Sequence, residues 1–139
     1  MIMQAIIIDA IVNILSGIKI NKISDKEVKT ALVKDYLLLK KAVQKAKDTK
    51  TELETKFRSD WGDEVFEVAE LRSKKQPLTG HEKFLEAEAD TIKMINEAFA
   101  EEIDVEITTF DLDVFIAAVG EEALTLETIA FLQENGVIA

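Results

Sequence analysis

Carboxylates dominate the side chains that could do chemistry here: 27 of the 139 residues are Asp or Glu, and no Lys or Arg follows Lys93. Glu67-x-x-Glu70, followed by Glu86 and Asp90, supplies two carboxylate pairs. Four such groups facing inward from helices would hold magnesium and polarise a phosphate chain. The second pair is spaced four apart, and carboxylate pairs arise by chance in so acidic a sequence. Asp111-x-Asp113 with Glu122 at the twelfth position has the ends of a calcium loop. Phe115 and Ile116 stand where an oxygen ligand and the turn glycine belong, so Asp111 reads as a helix cap. His81 is the single histidine, and no Ser or Cys nucleophile motif accompanies it. It reads as a solvent-facing residue in a first helical turn. Five scattered glycines make no phosphate loop. The expectation is a chain that is not an enzyme and has no catalytic residue, cofactor, metal site or small-molecule substrate.

Contact chemistry is better represented. Met1 to Leu15 is strongly apolar, with Gln4, Asp9, Asn13 and Ser16 on one side of a helix. Isoleucines such as Ile7 and Ile11 must be covered by the rest of the chain or by a second subunit, because so large a patch is costly in water. No Lys or Arg precedes the run, Asp9 interrupts it, and it is too short to span a bilayer. Lys50 falls on an otherwise apolar seam. It either buries its stem and sends its ammonium to water, or sets register opposite an acid. Trp61 and Phe66 are either hairpin-tip core or an exposed contact patch. Ile7, Ile11, Lys50, Trp61 and Phe66 are therefore the candidate interaction residues.

The elements that must position these groups are mostly helical. Pro77 is the only proline, cysteine is absent, and Ala, Glu, Lys and Leu are abundant. Without cysteine there are no disulfides and no thiolate metal sites; a cytoplasmic location is the expectation. Ser24-Asp25-Lys26-Glu27 is a capping box. Leu32, Leu39, Ala46 and Leu53 then recur every seven residues, interleaved with Tyr36, Val43, Lys50 and Phe57. That spacing predicts a helix from Asp25 to about Trp61, roughly 55 Å long, with one stripe seeking a partner. Thr79-Gly80-His81-Glu82 is a second capping box, opening a return helix to about Glu102. Its stripe is Leu85, Ile92, Ile95 and Phe99. Between the two, Asp63 caps a segment from Val65 to Arg72 that reads as helix, with strand as the alternative. Ser73 to Gly80 is loop.

Shorter elements complete the chain. Gly17 to Ile23 and Ile103 to Ile107 alternate like strands, one with Lys and the other with acids, and are predicted to pair with Lys19 facing Asp104 or Glu106. Asp111 caps a helix from Leu112 to Val119 closed by Gly120. Thr125 caps another from Leu126 to Glu134 closed by Asn135-Gly136. The reading is one domain, 1–139, mainly α. It comprises an N-terminal helix (1–16), a long antiparallel helical hairpin of coiled-coil type (24–102), and a short strand with small C-terminal helices (103–139).

Charge is unevenly spread. Residues 1–58 carry 12 Lys/Arg and 7 Asp/Glu; residues 59–139 carry 5 and 20. Either a basic helix packs beside an acidic one, or one face meets a charged partner. Lysine instead of arginine, no interleaved aromatics and the acidic half all disfavour nucleic acid.

The order of parts (apolar start, charged long helix from Ile18 to Phe57, return helix, acidic stretch from Glu102 to Ile107, and the ending Leu124 to Leu132) resembles small phage and prophage proteins of uncharacterised function, of tail or morphogenesis type. That likeness implies a structural or assembly role with a protein partner or self-association. A nucleic-acid- or protein-binding regulator is the alternative. Glu67, Glu70, Glu86 and Asp90 also resemble the metal set of all-helical nucleotide pyrophosphatases, which would imply a magnesium-dependent nucleotide hydrolase, the weakest of the three readings.

Overall fold

The computed structural model describes residues 1–120 and 124–139. Among them the protein is mainly α, with six α-helices and one two-stranded antiparallel ladder. The chain forms two compact units: Met1–Gln44 with Glu102–Ala139, and Lys45–Glu101. Helix α2, Lys26–Trp61, lends residues to both.

Unit 1 begins with a strand. β1, Ile2–Gln4, pairs with β2, Glu102–Asp104, in the register Ile2↔Asp104, Met3↔Ile103, Gln4↔Glu102. The acidic alternating stretch is thus a strand, but its partner is not Gly17 to Ile23. Residues Ile20–Lys22 form a 3-10 turn instead, with Ile18 and Ile23 buried on either side. Spacing of five between the buried isoleucines defeats the two-residue period a strand needs. Met1, not Lys19, meets Asp104: its α-ammonium lies 3.0 Å from Oδ1.

Helix α1, Ala5–Ser16, follows directly and buries Ala5, Ile8, Ile11, Val12 and Leu15. Those positions recur at three and four, the period of one helix face. Asp25 starts α2: its Oδ1 accepts from the N–H groups of Glu27 (3.0 Å) and Val28 (3.2 Å). Asp25 therefore caps the helix, where Ser24 was expected to. The stripe of α2 in unit 1 is Val28, Leu32, Leu39 and Val43, all buried, with Asp35 buried among them.

Asp35 is the latch for the connector that follows β2. Its carboxylate accepts from the Thr108 N–H through both oxygens, at 3.0 and 3.1 Å. Next, Phe110 N–H donates to Val137 O and Ala139 N–H donates to Phe110 O, each at 2.8 Å. Helices α5, Leu112–Val119, and α6, Leu126–Glu134, start where expected: Asp111 accepts from Asp113 and Val114 N–H, and Thr125 from Thr128 N–H. They place Phe115 and Leu132 in the core at 0 % exposure. Gly136, at φ +76°, closes α6 in the left-handed region and lets Met1 pack against its α-carbon.

Unit 2 is a hairpin with a third helix. Gly62, at φ +48°, turns the end of α2 into α3, Glu64–Ser73; α4, Glu82–Phe99, returns. Phe57 and Trp61, near the end of α2, meet Phe84, near the start of α4, with ring centroids 5.2 and 5.7 Å away. Lys45 lies 3.9 Å from Glu101 at the other end, so the two helices run antiparallel. Both partners of that ion pair are largely exposed, which leaves it ~0–1 kcal/mol. Apolar burial holds the hairpin together.

The seam of α4 is shifted by one from the expected stripe. Phe84 is buried to 2 % while Ile92 is half in water. Asp63 precedes α3 without making a side-chain cap bond, and Thr79 makes none at α4. Neither bond of the second capping box forms; instead Glu82 Oε1 accepts the Gly80 N–H at 3.1 Å, and backbone donors hold the Glu82 carboxyl below its usual value. The α3 face that packs inward is Val68 with Val65 and Leu71 half-covered; Ala69 and Arg72 point outward.

Candidate interaction surface

Unit 1 carries an apolar groove of about 350 Å³ between the end of α1, the 3-10 turn and the first turns of α2. Leu15, Ile18, Ile20, Leu32, Val33 and Leu37 line it, with Ser16 and Tyr36 the polar members. The helix period places Val33, Tyr36 and Leu37 on one side of α2, and the buried stripe Val28–Leu32–Leu39 holds that side at a fixed rotation. Leu37 is 59 % exposed, and Ile20 and Leu38 are also open to water. The Lys40 ammonium stands 5.7 Å from the Tyr36 ring centroid, near enough for a cation–π contact. Neither a carboxylate nor an imidazole lines the groove. What it can do is bind apolar surface.

Comparison with protein-family models, curated proteins and solved structures returns no match.

The five candidates drawn from the sequence scatter. Ile11 is fully buried in unit 1 and belongs to the core, with no surface to offer a partner. Ile7 is half-buried; its neighbours Ile2 and Ile6 are the exposed ones at that end. Lys50 is exposed and, in unit 2, lines a cleft of about 410 Å³ with Glu54, Phe57, Arg58, Glu88 and Ile95. Trp61 is half-buried against Phe57 and Phe84, hence hairpin core, whereas Phe66 is 74 % exposed on α3.

Of the carboxylates, Glu67, Glu70, Glu86 and Asp90 are all exposed, and Glu70 pairs with Lys74 at 2.9 Å. Among the described residues no group of three or more His, Asp or Glu side chains is placed to hold a metal ion. Glu122 lies outside the described residues; Asp111 serves as the α5 cap. His81 does not face solvent: its Nδ1 is 2.7 Å from Glu64 Oε1, with the side chain only 18 % exposed. The pair ties the start of α3 to the start of α4. Arg72 grips Glu88 with two parallel bonds of 2.9 and 2.6 Å, which holds the Glu88 carboxyl below its ordinary range. No helix among the described residues is long and apolar enough to cross a membrane.

Asp35 and the Leu37–Leu38 shoulder were the features missed. A signal existed for Asp35: it sits three after Leu32 and four before Leu39, on the core stripe itself. For Leu37 and Leu38 the signal was a run of three leucines, one more than a single helix face can bury.

Proposed function

We propose that this protein is a non-enzymatic interaction and assembly protein that self-associates through the unit 1 groove. The carrying observation is the continuous apolar surface of Ile20, Leu37 and the groove floor. Exposed patches of that kind mark contact sites, since water around them is displaced at a gain of about 25 cal/mol per Å². The resemblance of the sequence layout to small phage and prophage proteins of tail or morphogenesis type favours an assembly role and a mobile-element origin. The cysteine-free composition fits a cytoplasmic setting.

Sedimentation of the wild type across a concentration series tests this, with Ile20→Lys and Ile92→Lys alongside. The wild type should exceed the 15.6 kDa monomer as concentration rises. Ile20→Lys should stay monomeric, and Ile92→Lys, at a half-exposed position lining the cleft of unit 2, should behave as wild type. A wild type that is monomeric throughout overturns the proposal. The lysine-rich faces of α2 favour one second reading, a regulator that binds nucleic acid or an acidic protein. A gel-shift series against salt separates it, because phosphate contacts give a steep salt slope.

A further inference from the structure

The groove of unit 1 is lined by apolar side chains, and the elements that line it carry lysines beside it in sequence. Lys29 stands four before Val33 and Lys40 four after Tyr36, so both share the groove side of α2. Lys19 and Lys22 flank Ile20 in the 3-10 turn. Two grooves brought face to face would set lysine against lysine, which opposes a pairing of like with like. A groove of this character fits a short acidic helix with an apolar side chain on its outer face.

The chain itself carries such a helix. Leu126 opens α6 with 86 % of its surface in water, the most exposed large apolar side chain among the described residues. Ala130 and Gln133 continue the same outer stripe, and Glu127 and Glu134 border it. Eleven acids and no base occupy residues 94–139. Leu126 is not needed for the core, since Leu132 supplies the buried anchor of α6. Its exposure leaves it open to contact outside the monomer.

We propose that the groove of one copy receives the Leu126 face of α6 from a second copy, with Lys29 and Lys40 near Glu127 and Glu134. This rests on the self-association reading above and names the two surfaces that meet. The contact is heterologous. One copy of a pair keeps its α6 open and the other keeps its groove open, so the particle grows with concentration unless the arrangement closes on itself.

Complementation of two variants tests it. Leu37→Asp spoils the groove and keeps α6. Leu126→Asp spoils α6 and keeps the groove. Both positions are exposed, and an acid in the first turn of α6 suits the helix dipole, so circular dichroism should match the wild type. If Leu37→Asp loses helicity, Ile20→Lys takes its place. Sedimentation of each variant alone should give the monomer mass. An equal mixture should give twice that mass and no more, because the one intact groove and the one intact α6 join and leave nothing to extend. A mixture that stays monomeric, or a Leu126→Asp chain that associates like the wild type, overturns the proposal. If the wild type associates and groove variants alone abolish it, self-association stands and the α6 occupant falls. If the wild type never associates, both fall.

Discussion

Phe84→Ala is the sharpest probe of the hairpin. Phe84 is 2 % exposed and touches Phe57 and Trp61 at centroid distances of 5.2 and 5.7 Å, the second pair edge-on at 90°. Truncating a buried phenylalanine costs about 3–5 kcal/mol, the transfer of the ring plus the cavity left behind. About 0.5–1.5 kcal/mol of that belongs to each aromatic pair. Leu85, the neighbour that the heptad spacing favours, is only half-buried, so Leu85→Ala should cost about 1 kcal/mol. Trp61 is the single tryptophan and sits against the deleted ring, so urea unfolding followed by its fluorescence reports on unit 2 directly. With a slope of about 1–3 kcal/mol per M, the Phe84→Ala midpoint should fall by at least about 1 M. A Leu85→Ala loss equal to or larger than that of Phe84→Ala would refute the observed register of α4 against α2.

Three further outcomes are expected. Burial raises the Asp35 carboxyl above its ordinary value in spite of the two Thr108 hydrogen bonds. The folded chain then holds a proton that the unfolded chain has released, and stability falls as pH rises through the window between the ordinary aspartate value and the raised one. Asp35→Asn should flatten that slope in melts recorded from pH 3 upward, whereas Asp35→Ala should lose about 1–3 kcal/mol by stranding the Thr108 N–H. Asp111→Ala removes the α5 cap and should lower stability by about 0.5–2 kcal/mol in denaturant titration. Ile11→Asp places a carboxylate in the core and should abolish cooperative melting, while Ile6→Asp, at an exposed position of α1, should shift it by less than about 1 kcal/mol.

The sequence disclosed most of the helical framework because helix signals are local. The stripe Leu32–Leu39–Ala46, the caps at Asp111 and Thr125 and the bend at Gly62 each depend on neighbours within a turn or two. The ladder was half legible. Glu102 to Asp104 alternates visibly, but its partner is β1, whose Met-Ile-Met-Gln run has no alternation and reads as the start of an apolar helix. Pairing across a hundred residues leaves no trace in either segment alone. Asp35 was missed because an ionisable side chain on a core stripe looks like a break in it, and only the Thr108 backbone gives it a reason to be there. His81 was misplaced for a similar cause: its partner Glu64 is seventeen residues away. At the contact surface, Ile11 looked sticky because the run around it is apolar on nearly every side. The chain's own core in fact covers Ile8, Ile11, Val12 and Leu15, and the uncovered apolar surface lies on Leu37 and Leu126.

Hydroxyl-radical footprinting of the wild-type chain, dilute and concentrated, tests the groove as a contact surface most directly. Tyr36 and Leu37 should be oxidised readily at low concentration and become protected as the chain associates, while exposed Phe66 on α3 stays equally reactive. Equal labelling of Tyr36 and Leu37 in the two samples, in a particle heavier than the monomer, would contradict it.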